Sequence, residues 1–267
     1  MTELFYFSGT GNSLHVAREL GKRLPDARLT PMLSLLDERE ISSQAHTVGL
    51  VFPVYALSLP WIVEVFLRRL HLRSDQYLFA CASRLCSERV FRRIERLLPE
   101  KRVTLQGRFA MAMPENYIPV FNIDPPEVRQ DMERKLYVNA DDVVRRIRNR
   151  ETVHMSDGWW RLLTWTVFPL LTMIYRLTGF FRLARRLYAD ERCTACGQCA
   201  RLCLAERISM ETGRPRWDPD RACYHCLACL HFCPQGAIQI RRTKSAQRKR
   251  YHHRAVSAVE IAAQKKH

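Results

Sequence analysis

The feature that most constrains this chain is a cysteine pattern that occurs twice near its C-terminal end. Eight of the ten cysteines form two blocks with the spacing C-x2-C-x2-C-x3-C: Cys193, Cys196, Cys199, Cys203 and Cys223, Cys226, Cys229, Cys233. Two copies of this spacing are typical of a pair of [4Fe-4S] clusters. Structural zinc uses two cysteine pairs and would leave the third and fourth cysteine of each block unexplained. The sequence therefore predicts two iron–sulfur clusters that serve electron transfer.

The ligation is expected to be crossed, because in two-cluster ferredoxins the fourth cysteine of each block binds the other cluster. The predicted ligand sets are Cys193, Cys196, Cys199 with Cys233, and Cys223, Cys226, Cys229 with Cys203. Leu204 follows Cys203 where the bacterial pattern has proline, as it does at Pro234. We expect the local turn and solvent access to differ between the two sites. A short hairpin over residues 208–217 is predicted between the blocks.

The N-terminal half alternates apolar runs with helical patterns. Apolar runs at 2–7, 48–55, 77–82 and 109–113 are followed by helical spacing over 14–24, 63–70, 90–98 and 127–148. This alternation indicates a parallel sheet covered by helices.

The first apolar run ends in a turn rich in small polar residues. This turn, Ser8-Gly9-Thr10-Gly11-Asn12-Ser13, offers backbone N–H groups, hydroxyls and a helix N-terminus to a phosphate. It has neither the lysine of a Walker A loop nor dinucleotide-fold glycine spacing, which favours the monoester of FMN. The alternative is an ordinary turn and helix cap.

With these motifs the chain resembles fusions of an N-terminal flavodoxin-like domain to a C-terminal two-cluster bacterial-type ferredoxin. The resemblance rests on residues 5–13, 53–55 and 113–117, and on the cysteine blocks with Pro215 and Trp217 between them. It implies a doubly wound parallel five-stranded sheet of order 2-1-3-4-5, then a helical linker and a small α+β ferredoxin domain. FMN would lie at the carboxyl ends of the strands. The implied segments are 1–150, 151–187, 188–241 and a basic tail over 242–267.

The resemblance also implies where the flavin ring lies. Its phosphate would bind residues 8–13, and its ring would lie between a loop containing Pro53, Val54 and Tyr55 and a loop containing Ala82, Ser83 and Arg84. Tyr55 is either a stacking partner or an ordinary strand-end tyrosine. Arg84 departs from the glycine usual after this strand, so it would either crowd the ring or stabilise reduced flavin. Cys81 and Cys86 are expected to be packing residues.

Charge and composition indicate the partners. The net charge of +16 favours an acidic redox partner protein, such as a ferredoxin, flavodoxin or reductase. The aromatic and arginine-rich segment 159–187 is either a helical pair packed on the first domain or an interfacial helix at a membrane. The tail is expected to be solvated, and nucleic-acid binding is not expected, because only Tyr251 interleaves its basic residues. The absence of an apolar leader segment predicts a cytoplasmic protein, with peripheral contact at the inner membrane face as the alternative.

Three functions remain open on the sequence. The first is an electron-transfer protein passing single electrons between two clusters, FMN and a redox partner. The second is an FMN-dependent reductase of a small molecule, although Glu115, His15 and His71 form no acid–base set in the sequence. The third is a cluster-based sensor with a basic binding tail.

Overall fold

The computed structural model describes residues 1–83, 88–100, 103–155, 166–174 and 181–265. The first part contains β1 (Thr2–Tyr6), α1 (Asn12–Arg23), β2 (Ala27–Pro31), β3 (Ile41–Ser42), β4 (Thr47–Phe52), α2 (Trp61–Leu67), β5 (Leu70–His71), β6 (Tyr77–Ala82), α3 (Glu88–Leu97), β7 (Gly107–Ala110) and α4 (Pro126–Arg148). The second part contains α5 (Val167–Ile174), α6 (Phe181–Ala184), β8 (Leu187–Ala189), α7 (Gln198–Leu202), β9 (Ile208–Glu211), β10 (Arg214–Trp217), α8 (Ala228–His231), β11 (Ile238–Ile240) and α9 (Ala258–Ala262). Single 3-10 turns lie at Met32–Leu35 and Ser245–Gln247.

The first part is a flavodoxin-like α/β fold. Its five-stranded sheet has the order β2-β1-β4-β6-β7 with every pairing parallel, which is the predicted order 2-1-3-4-5. The apolar runs of the central strands are buried because helices cover the sheet, with α1 packed against α4 and α2 against α3. The carboxyl ends of β1 and β4 therefore meet at one edge, where the order of strands reverses.

The second part is the predicted small α+β unit. Strands β9 and β10 form an antiparallel hairpin with Ile208 opposite Trp217, and its turn holds Thr212 and Gly213 in the left-handed region. Strands β8 and β11 form a second antiparallel pair. The hairpin prediction is confirmed, whereas β2 and the short parallel pair β3–β5 were not recognised from the apolar runs.

The two parts share hydrophobic packing. Leu204, Ala228 and Phe232 from the second part join the core cluster of the first, together with Val256 and Ile261 from the C-terminal segment. The prediction of a solvated tail is wrong over residues 251–264, because Tyr251, Val256 and Ile261 are buried. The high content of basic residues predicts a solvated segment, but a few apolar side chains hold it against the first part.

The segment 159–187 is only partly described, since residues 156–165 and 175–180 lie outside the described ranges. Helix α5 exposes Val167, Leu170 and Met173. The choice between packing on the first domain and lying at a membrane therefore stays a prediction. None of the helices in the described ranges has the length and apolar character needed to cross a bilayer.

Candidate functional site

Two cavities gather the eight block cysteines. Four of them line the first cavity and are named here the outer set: Cys193, Cys196, Cys199 and Cys233. The other four line the second cavity and are named the inner set: Cys203, Cys223, Cys226 and Cys229. Cys203 and Cys233 thus each lie with the opposite sequence block, the arrangement expected for crossed ligation.

The outer set faces solvent. Cys196 is exposed, and Gly197 beside it begins α7 with a left-handed backbone. The N–H of Ala237 donates to Cys233 Sγ over 3.2 Å. Burial raises the pKa of the Cys199 thiol to about 11. A group bound by this set would lie close to the protein surface.

The inner set is more enclosed. Arg207 and His225 donate backbone N–H groups to Cys203 Sγ and Cys223 Sγ, each over 3.4 Å. Burial raises the pKa of Cys226 and Cys229 well above the usual thiol range. These thiols stay protonated at neutral pH unless a metal replaces the proton, so metal binding here is coupled to proton release. Four convergent sulfurs with N–H donors fit an iron–sulfur cluster in each cavity.

The predicted phosphate loop, residues 8–13, lies at the carboxyl end of β1 and opens α1. Its side chains are already paired: Ser13 Oγ lies 2.6 Å from Ser83 Oγ, and Thr10 Oγ1 accepts the side-chain N–H of Asn116 over 2.7 Å. Among the described residues, the N–H groups of Thr10, Asn12 and Ser13 find no hydrogen-bond acceptor, and all three residues are buried. Unpaired buried donors at a helix N-terminus fit a phosphate.

The C-terminal segment covers this loop. Gln264 accepts the N–H of Ser8 over 2.9 Å and donates its own side-chain N–H to the Ser8 carbonyl over 2.8 Å. Tyr251 donates its hydroxyl to Asn12 Oδ1 over 2.8 Å, and the His253 N–H donates to the Thr10 carbonyl over 2.8 Å. The loop side chains retain only 1 to 4% exposure at Ser8, Thr10, Asn12 and Ser13.

The loop also touches the inner set. A Cβ atom built on Gly9 would lie 2.3 Å from the carbonyl oxygen of Cys226, so only glycine allows this approach. Beside it, the rings of Trp61 and Tyr224 lie 5.6 Å apart across the boundary between the two parts. The phosphate loop and one cavity of cysteines are therefore immediate neighbours.

Asn116 and His231 form a second link that the sequence did not reveal. His231 Nε2–H donates to the Asn116 carbonyl over 2.7 Å, and its Nδ1 accepts the N–H of Tyr251 over 3.1 Å. Burial lowers the pKa of His231 to about 3, so the ring is neutral and its proton is on Nε2. In the sequence, Asn116 is only one residue of the segment 113–117, and the inward position of His231 depends on the packing of α8.

The predicted ring-binding residues lie at the same edge of the sheet. Pro53 is buried and Val54 is half-buried, while half-buried Tyr55 closes a two-residue turn through paired backbone hydrogen bonds with Ser58. Ala82 and Ser83 are buried at the end of β6. Arg84 and Cys86 lie outside the described residues. Burial raises the pKa of the Cys81 thiol to about 12, as expected for a packing residue.

A basic groove of about 790 Å³ lies beside the inner set. Its floor includes Trp217, which also lines the inner cavity. Five of its lining residues are arginines: Arg185, Arg207, Arg214, Arg216 and Arg241. Such a concentration of positive charge attracts acidic surfaces.

The fold and the cavities define an α/β domain joined to a two-cavity cysteine unit. Residues 192–238 match the family described as 4Fe-4S dicluster domain, which identifies the cysteine unit as a site for two [4Fe-4S] clusters. No curated protein sequence matches the chain.

Three solved structures are similar to part of the chain. The Trp repressor binding protein from Bacillus subtilis has 12% identity and a TM-score of 0.35, covering 59% of this chain and 100% of that chain. An azoreductase from Bacillus anthracis has 8% identity and a TM-score of 0.32, covering 56% and 99%. An FMN-dependent NADH-azoreductase from Bacillus anthracis in complex with FMN has 9% identity and a TM-score of 0.28, covering 54% and 99%. The fold assignment rests on strand order and not on these values.

Proposed function

We propose that this chain is an electron-transfer flavo-iron–sulfur protein that exchanges single electrons with an acidic redox partner protein. The observation that carries the proposal is the order of the three sites. The outer set reaches the surface at Cys196, the inner set lies deeper, and the loop residue Gly9 touches Cys226 of the inner set. This order supports a route from the surface to the first domain.

The residues available to hold the cofactors support this assignment. When bound, each [4Fe-4S] cluster exchanges one electron at a time, whereas FMN holds one or two. The outer and inner cysteine sets would supply the thiolates. The N–H groups of Thr10, Asn12 and Ser13 would hold the FMN phosphate, and Tyr55 would face the ring.

The inner set is partly shielded from solvent. Leu227 and Cys203 are buried there, and half-buried Trp217 closes the cavity toward the basic groove. Exclusion of water lowers the reduction potential of a cluster, because an apolar surrounding disfavours the added negative charge. N–H donation to the sulfurs raises the reduction potential, because the donors stabilise that charge. The more exposed outer set is expected to have a different potential.

The cofactor content can be measured directly. Anaerobic reconstitution with iron, sulfide and FMN should give about eight irons, two cubanes' worth, and one FMN per chain. A redox titration followed by EPR should then show two cluster signals. Fewer than about eight irons would overturn the two-cluster assignment. Full iron without retained FMN would overturn the flavin assignment alone.

The acidic partner can be tested at the basic groove. Arg214 and Arg241 line the groove, and replacing both with glutamine should slow electron exchange with a reduced acidic ferredoxin by roughly tenfold at low salt. High salt should erase the difference, because screening removes the attraction. The matched control is Arg134→Gln with Lys135→Gln on exposed α4, which removes two charges elsewhere. Equal slowing in both double variants would contradict docking at the groove.

A further inference from the structure

A second metal-binding arrangement lies outside the cysteine unit. His15 of α1, Glu133 of α4 and His253 of the C-terminal segment bring their ligand atoms within 4.8 Å of one another. Both histidines are almost fully buried, with 4% and 3% exposure, and their rings stack with centroids 3.9 Å apart. Three elements distant in sequence thus converge on one point.

The two distances from Glu133 to the histidines suit a small cation. Glu133 Oε1 lies 3.2 Å from His15 Nε2, and Glu133 Oε2 lies 3.1 Å from His253 Nε2. A tetrahedral ion with bonds of about 2.0 to 2.1 Å places its ligand atoms roughly 3.3 Å apart. Although His15 Nε2 is close to the carboxylate, it is not aligned for a hydrogen bond, and this buried nitrogen has no hydrogen-bond partner among the described residues. A buried nitrogen without a hydrogen bond lowers the stability of the folded protein unless a ligand binds it.

The protonation states also suit a ligand set. Burial, with the neighbouring His253, lowers the pKa of His15 to about 4. Burial lowers the pKa of His253 too, although Glu133 opposes the shift. Burial raises the pKa of Glu133, but hydrogen bonds from His253 and Tyr137 outweigh it and leave that pKa below its usual range. Two neutral imidazoles and one carboxylate are therefore present at neutral pH.

We propose that His15, Glu133 and His253 bind one divalent transition cation of the zinc class, which fastens the C-terminal segment to α1 and α4. Imidazole and carboxylate ligands suit Zn²⁺, with a fourth position left for water. His253 is the residue whose N–H donates to the carbonyl of Thr10. The cation would thus hold the cover in place over the phosphate loop.

The test uses the holoprotein, in which both clusters already occupy the cysteines. Dialysis against Zn²⁺ should load one zinc per chain in addition to the iron. X-ray absorption at the zinc edge should then show only nitrogen and oxygen neighbours at about 2.0 to 2.2 Å. A sulfur shell at about 2.3 Å, or no retained zinc, would overturn the proposal.

Variants separate this site from adventitious surface binding. His253→Gln should weaken zinc binding by more than about a hundredfold, since even loss of a supporting group costs ten- to a hundredfold. His252→Gln is the matched control, because His252 is exposed and stacks on Phe232 instead, with ring centroids 4.3 Å apart. Zinc should also slow hydrogen exchange over residues 251–264 in the wild type. Equal zinc affinity in the His253 variant and the wild type would refute the assignment.

Discussion

Gly9 of the phosphate loop lies directly against the main chain of Cys226, a residue of the inner set. A Cβ atom at Gly9 would stand 2.3 Å from the Cys226 carbonyl oxygen and 2.9 Å from the Cys226 Cβ. The Cys226 carbonyl oxygen belongs to the main chain, so it cannot move aside as the end of a flexible side chain can. The two parts of the molecule therefore meet where a side chain larger than hydrogen does not fit.

Gly9→Ala is expected to open this contact. The added methyl group must push the loop and the inner set apart, at a cost of about 1 to 3 kcal/mol. Anaerobic urea unfolding followed by cluster absorbance should show a lower midpoint. Gly213→Asn is the control, since asparagine tolerates the left-handed turn and a Cβ there meets only Ala195 Cβ at 3.9 Å. An unchanged midpoint for Gly9→Ala would show that the loop adapts freely.

Leu204 is expected to stabilise the boundary between the two parts. It is 2% exposed and belongs to the hydrophobic cluster of the first part. Leu204→Ala should lower the free energy of unfolding by about 2 to 4 kcal/mol through lost burial and a cavity. Val259→Ala, at a side chain 76% exposed, should change it by less than about 0.5 kcal/mol. Calorimetry on the anaerobic holoprotein measures both, and similar values would contradict a packing role for Leu204.

Single cysteine variants should sort by cavity and not by sequence block. Cys203→Ser should lose the cluster of the inner set and retain about four irons, one cubane's worth. Its remaining EPR spectrum should match that of Cys223→Ser. Cys233→Ser should instead match Cys193→Ser, because those residues share the outer cavity. A match between Cys203→Ser and Cys193→Ser would indicate ligation within each block.

Low pH should destabilise the folded C-terminal segment, because Glu260 then loses its negative charge. Hydrogen bonds from Ser257, together with the ion pair to Arg18, lower the pKa of Glu260 to about 2. A carboxyl group with a depressed pKa in the folded state stabilises above its ordinary pKa of 4.5, and that contribution fades as pH falls from 4.5 toward 2.

Hydrogen exchange over residues 257–264, corrected for intrinsic rates, tests this prediction. The wild type should lose protection as the pH falls from 4.5 toward 2, because in this window Glu260 gains a proton when the segment opens and stays ionised when it is folded. Glu260→Gln should show reduced protection with little pH dependence there. Glu211→Gln, which removes an exposed ion pair with Arg216, should behave as the wild type. Identical pH profiles for both variants would argue against Glu260 as the source.

Cys81 should resist alkylation. Burial raises the pKa of its thiol to about 12, so at pH 8 only about one molecule in ten thousand carries the thiolate. Mass spectrometry after iodoacetamide treatment of the folded holoprotein should find Cys81 unmodified, whereas protein in guanidinium should be labelled. Labelling of the folded protein at Cys81 would show that β6 opens readily.

The sequence predicts much of this architecture because its signals are local. Apolar runs such as 77–82 become central strands, and the repeated spacing places the first three cysteines of each block around one cavity. The edge strand β2 was missed because its alternating exposure leaves no apolar run. The link from Asn116 to His231 and the pairing of Ser8 with Gln264 join residues 115 and 256 positions apart, and no local pattern encodes them.

The lack of a local sequence signal also explains why the prediction of a solvated C-terminal tail is wrong. Residues 242–267 are rich in Lys, Arg and His, and that composition usually marks a solvated chain. A few well-placed side chains decide otherwise, since Val256 and Ile261 are buried and Gln264 is fully enclosed. Basic side chains can point outward while the remaining ones hold the segment to the first part of the chain.

The contacts that cover residues 8–13 can form only after the C-terminal segment has been synthesised. Ribosomes make Tyr251 to Gln264 well after residues 8–13, and the later residues close over the earlier loop. A nascent chain that lacks the C-terminal segment presents the loop uncovered, whereas a chain that includes this segment must open buried contacts to admit a phosphate. Flavin supplied during synthesis should therefore be captured quickly and then retained, and flavin supplied afterwards should enter slowly.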